Sequence, residues 1–199
     1  MLGSQGALPI ARNLVSALPE DFPAAVVYVQ HRMKTAGSIL ASVLRFHARL
    51  PVHEVGHGDA VRAGAVYVPA PDVVTTIRAD RTFAVAEGGC TGDPLMASAA
   101  AVYGPATLGV ILSGRLRDGA AGLSQIKGAG GRALIQAPES AAADGMPLAG
   151  MATGCYDFVL PPRQLGAALL ALVTVPGAAD LFRVRTHPES AVSGLWSAG

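Results

Sequence analysis

Ser4 in the turn GSQG, His31 directly after the run VYVQ and Asp118 after the run VILSG are of the three types that nucleophilic acyl transfer combines. A serine hydroxyl attacks a carbonyl when a base takes its proton, an acid orients that base, and donors meet the developing oxyanion. In a parallel α/β fold the loops at the carboxyl ends of the strands converge on one crevice, so polar residues placed just after apolar strand runs can meet there. On placement alone a second reading stands beside the triad. Ser4 would cap a helix starting near Ala7, Asp118 would cap or complement the dipole of its own helix, and His31 would be a polar strand-end residue.

A second pattern, His53-Glu54-Val55-Gly56-His57, matches the HExxH zinc signature. That signature works when both histidines share one helical face. Pro51 precedes it, Gly56 lies inside it and Gly58 follows, which makes a continuous helix costly, so these histidines are expected to be solvent-exposed and no metal site is expected. Cys90 and Cys155 are too far apart to suggest a disulfide framework or a thiolate zinc site. Cys90, in a glycine-rich loop without an adjacent basic group, reads as a small idle thiol. His47 in a predicted helix and His187 near the carboxyl terminus receive no role.

The elements that must position these residues alternate in type. β-Branched apolar runs follow Ala/Leu-rich stretches with helical spacing, the signature of a mostly parallel sheet covered by helices. Residues 24–30, AAVVYVQ, form the clearest strand, and their unbroken apolar character predicts burial on both faces. Helices are predicted over 7–18 and 37–50, and over 94–103 with Asp93 as N-cap. Short apolar pieces separated by Gly56, Gly58 and Gly64 predict a small hairpin within 52–68. Further strands are expected at 107–113, 133–136 and 157–160, a helix over 118–128, and a carboxyl-terminal helix containing the apolar run 165–175. The expected fold is therefore α/β, three-layered and doubly wound, a mostly parallel sheet with helices on both faces and a small hairpin.

At 199 residues the chain suits one domain with a sizeable core. We expect that domain over 1–176 and a carboxyl-terminal tail over 177–199. A content of 51% hydrophobic and 15% charged residues excludes a disordered chain, and a net charge of +1 supplies no field to attract nucleic acid. The amino terminus lacks a basic segment followed by an apolar one, so no secretory signal is expected. The longest apolar run falls short of the ~20 residues that cross a bilayer, so no membrane insertion is expected. A reducing cytoplasm fits.

The segments LPEDFPAAVVYVQH, VYVPAPD, TLGVILSGRLRDGAAG and DGMPLAG occur in the order of matching segments in the chemotaxis protein-glutamate methylesterase (CheB) family, which the chain resembles over about residues 2–172. That family's pattern is a GAST-GG-like turn, a strand ending in QH, and a strand followed by TGMG-x-DGAAG. Ser4, His31 and Asp118 fall on the family's catalytic positions. The resemblance implies hydrolysis of γ-glutamyl methyl esters on chemoreceptors or chemoreceptor-like proteins, with deamidation of receptor glutamines as a related activity. It implies a cytoplasmic setting and no metal or organic cofactor.

Departures from the pattern carry their own expectations. Only Met1, Leu2 and Gly3 precede Ser4, so the family's first strand is expected to be missing or cut short. Gln5 stands where the family has Thr. Arg115 stands where it has a Met whose backbone amide faces the oxyanion, and a long cation there could pair with Asp118 in place of His31. Residues 87–92, EGGCTG, replace a basic, proline-containing stretch. The length leaves no room for the family's receiver domain, so either control differs or the receiver is absent from this chain. The alternatives to an active methylesterase are a binding module of the same fold with impaired catalysis, and a serine hydrolase recruited to another ester.

Overall fold

A computed structural model describes residues 1–31, 39–89, 91–175 and 177. Cys90, His187 and the predicted tail beyond Gly177 lie outside the described residues, as does part of the helix expected over 37–50.

The sheet begins with β1 (Leu2–Gly3), a strand of two residues, so the first strand is present but short. It pairs in parallel with β3 (Val29–Gln30) on one side and β8 (Leu108–Ile111) on the other. Beyond β8 come β9 (Arg132–Gln136) and β10 (Phe158–Leu160), giving a parallel sheet of order β10-β9-β8-β1-β3.

The run expected as one strand over 24–30 divides between two sheets. Its first part, β2 (Ala25–Val27), pairs in parallel with β5 (Ala65–Val68), which also pairs with β4 (Val52–Glu54). Tyr28 is the joint, its amide donating to Tyr67. Because β4 and β5 are parallel, the hairpin does not lie within 52–68 as expected. It lies at 73–87, where β6 (Val73–Ile77) and β7 (Phe83–Glu87) pair antiparallel. A parallel pair needs a crossover, and glycine spacing alone cannot distinguish that from a tight turn.

Helices cover both faces. On one, α1 (Leu8–Ser16), α2 (Ile39–His47) and α6 (Pro162–Thr174) bury Ala11, Leu14, Leu40, Leu44, Leu165 and Leu169 against Val26, Tyr28, Val110, Leu112 and Leu134. On the other, α3 (Gly92–Tyr103), α4 (Ala120–Gly128) and α5 (Gly145–Ala152) bury Leu95, Met96, Leu123, Ile126 and Met146 against Leu2, Val29, Ile111, Ala133 and Ile135. Val110 and Leu112 face one layer and Ile111 the other, the period of two that a strand buried on both faces requires. Among the described residues no helix is long and apolar enough to cross a membrane.

Two helix starts differ from expectation. α3 begins at Gly92, so Asp93 lies inside its first turn and is not its N-cap. Ala7, with no side-chain cap, occupies the N-cap of α1, so Ser4 does not serve that helix as a cap.

Candidate active site

Ser4, His31 and Asp118 lie beyond the carboxyl ends of β1, β3 and β8, three neighbouring strands. The Ser4 amide donates to the Ser113 carbonyl at 2.9 Å, and its carbonyl accepts from the Gln30 side-chain amide at 2.6 Å. Ser4 is thus tied to the ends of both flanking strands, which compensates for a β1 of only two residues. The His31 amide donates to the Gly3 carbonyl at 3.0 Å, fixing the histidine beside the serine-bearing strand. Gly3 permits the turn that follows, since a Cβ there would lie 2.3 Å from the Ala7 Cβ.

His31 Nε2 meets Asp118 Oδ2 at 2.6 Å, across 87 residues of sequence. The imidazole is 23% exposed and the carboxylate 10%, so the pair is partly shielded while the ring keeps an open edge. Asp118 does not cap its own helix, whose N-cap is Gly119 without a side-chain bond. It caps α3 instead, Oδ2 accepting from the Gly92 amide and Oδ1 from the Asp93 amide, both at 3.0 Å. Burial pushes the Asp118 carboxyl up. The bond from His31 and the two helix amides outweigh it, and the group ends below its ordinary value of 3.8. The carboxylate is therefore ionised at neutral pH and positioned to accept from an Nε2–H. Nδ1 is the ring nitrogen turned away from Asp118.

A buried polar layer supports the loops from beneath. The Ser113 amide donates to Gln136 Oε1 at 2.8 Å, and Gln136 Nε2 donates to the Ser140 carbonyl at 3.0 Å. The Ser113 hydroxyl donates to the Gln5 carbonyl at 2.7 Å and accepts from the Ala143 amide at 3.0 Å. Ser113 and Gln136 are fully buried, so this network satisfies groups that would otherwise be costly to bury. Tyr28 donates from its hydroxyl to Gln30 Oε1 and so orients the amide that holds Ser4. Sequence reasoning missed Ser113, Gln136 and the helix amides at 92 and 93. Only Gln30 carried a signal, its place next to His31.

Gln5 and Arg115 both have exposed side chains at the rim. Asp118 is engaged by His31 and the α3 amides, and Arg115 does not take the place of His31. Between Arg115 and Arg117, Leu116 holds φ at 73° and is 76% exposed.

The HExxH residues are elsewhere. His53 and Glu54 lie on strand β4, so the pattern has no helical face to share. His57 lies beyond it, with Nε2 2.7 Å from the Arg78 guanidinium and Nδ1 3.2 Å from both the amide and the carbonyl of Val85. Among the described residues no group of three or more His, Cys, Asp or Glu side chains is gathered for a metal ion. Cys155 is a half-buried free thiol.

Comparison with known proteins adds a family and a fold. A family model described as CheB methylesterase matches residues 1–169. A protein-glutamate methylesterase/protein-glutamine glutaminase of Moorella thermoacetica is 37% identical over 184 residues, covering 87% of this chain and 43% of that protein. The protein-glutamate methylesterase FrzG of Myxococcus xanthus is 32% identical, covering 86% of this chain and 53% of its own. The chain thus spans about half the length of these relatives. The crystal structure of the Thermotoga maritima CheB methylesterase catalytic domain superposes with a TM-score of 0.80 at 28% identity, covering 86% of this chain and 96% of that one.

Proposed function

The chain belongs to the CheB methylesterase family, and we propose that it is a serine hydrolase demethylating γ-glutamyl methyl esters of chemoreceptors or chemoreceptor-like proteins, with Ser4, His31 and Asp118 as its catalytic residues. The observation that carries this reading is the 2.6 Å contact of His31 with an ionised, helix-capping Asp118, beside the strand end that bears Ser4.

The chemistry follows from that contact. Asp118 holds the imidazole in the tautomer with Nε2–H, and Nδ1 accepts the Ser4 proton as Oγ bonds to the ester carbonyl carbon. The oxyanion is met by the backbone amides of Gln5 and Arg115, neither of which donates to another backbone carbonyl among the described residues. Collapse expels the methoxy oxygen, which takes the proton from Nδ1–H and leaves as methanol. Water, activated by Nδ1, then cleaves the acyl-serine and releases a free glutamate. A glutamine side chain follows the same path with ammonia as the leaving molecule. The setting is the cytoplasm, on the receptor's cytoplasmic helices.

Incubation of the purified chain with a methylated receptor fragment tests the reading. Methanol is released by the natural sequence and not by Ser4→Ala or His31→Ala of unchanged circular dichroism. A natural chain that releases none overturns it.

A further inference from the structure

Asp93, inside α3, and Asp118, just ahead of α4, each accept amides from the start of the other's helix. Asp118 precedes α4 and accepts the first amides of α3, through Gly92 and Asp93. Asp93 lies in the first turn of α3, and its Oδ1 accepts the Gly122 amide in the first turn of α4 at 2.6 Å. These three bonds satisfy helix-terminal donors that the helices themselves cannot. Together they close a ring in which the backbone of residue 93 grips Asp118 while its side chain grips the helix that Asp118 leads into. Gly122 makes the approach possible, because a Cβ there would lie 2.5 Å from the Met96 Cβ.

We propose that Asp93 is a positioning residue for hydrolysis, its carboxylate locking α4 to α3 so that Asp118 is held where it orients His31. The proposal rests on the triad reading given above. The titratable group facing Asp93 is Asp118, with His31 beyond it. Burial pushes the Asp93 carboxyl up, the Gly122 amide opposes this, and the Asp118 charge adds to the rise. The two adjacent carboxyls are thus shifted in opposite directions, Asp118 down and Asp93 up.

The effect expected on Asp93→Ala is a fall in kcat with KM unchanged, because Asp118 shifts without altering the ester-binding surface. Displacements of about 1 Å in a catalytic constellation cost on the order of a hundredfold, and a loss of about tenfold or more is expected. Asp93→Asn keeps an oxygen for Gly122 and recovers most of that loss. A kcat per folded molecule within twofold of the natural chain for Asp93→Ala overturns the proposal, as does an Asn variant as impaired as the Ala variant. If the Ala variant does not fold, Asp93→Glu decides, since it keeps the carboxylate but displaces it from the Gly122 amide. A kcat lowered by about tenfold with KM unchanged is expected of it, and a kcat within about twofold of the natural chain overturns the proposal. Asp118→Ala is assayed alongside. Activity abolished there but intact in Asp93→Ala removes this proposal alone, whereas activity surviving Asp118→Ala removes the triad reading and this proposal with it.

Discussion

Gly92 has no room for a side chain because Asp118 occupies it: a Cβ on Gly92 would lie 2.2 Å from Asp118 Oδ2. The close approach lets the Gly92 amide reach the carboxylate at 3.0 Å. Gly92→Ala is therefore expected to displace Asp118 from His31, and its Cβ would also press on the Leu2 side chain, whose Cδ2 would lie 2.5 Å away. Methanol release by this variant falls by about tenfold to a hundredfold, with far-ultraviolet circular dichroism unchanged. Full activity would mean that the Asp118 position does not limit the reaction.

The two aspartates at this helix junction respond to acid in opposite directions. The Asp118 carboxyl is held below 3.8, so its stabilisation is complete above that pH and is lost as the pH falls through its folded value. The Asp93 carboxyl is raised above 3.8, so its contribution is complete below that pH and is lost as the pH rises through its folded value. Urea unfolding at a series of pH values separates them. The destabilisation caused by Asp118→Asn shrinks below pH 3.8, whereas Asp93→Asn gains stability relative to the natural chain as the pH climbs above 3.8. Curves parallel to that of the natural chain in both variants would contradict this account.

Leu116 holds a left-handed backbone while its side chain is mostly in solvent. That conformation costs a non-glycine residue about 1–2 kcal/mol, and little burial offsets it. The TGMG pattern of the family has glycine at this register. Leu116→Gly is expected to raise stability by about 1 kcal/mol, read as a higher urea midpoint at unchanged slope. A lower midpoint would show that the exposed leucine makes a stabilising contact.

Much of the fold was legible because strand and helix periods differ. The runs at 107–113 and 133–136 became β8 and β9, and the Ala-rich stretch before Tyr103 became α3. The division of 24–30 between two sheets was not legible, since a strand passing from one partner to another keeps the same alternation on either side of Tyr28. Nor was the parallel pairing of β4 with β5, because pairing direction is decided by distant partners and not by the glycines between them. At the site, sequence position marked Ser4, His31 and Asp118 as strand-end residues. The helix that Asp118 caps begins 26 residues upstream of it, a relation no local capping rule could reveal.

The central claim is that His31, held by Asp118, makes the Ser4 hydroxyl a nucleophile. Treatment with a serine-directed phosphonofluoridate followed by peptide mapping tests this without a receptor. The expected result is one stoichiometric adduct on Ser4, formed at least a hundredfold more slowly in His31→Ala, a loss of the size that removing a general base produces. An adduct on another serine, or labelling of Ser4 at the same rate without the imidazole, would contradict it.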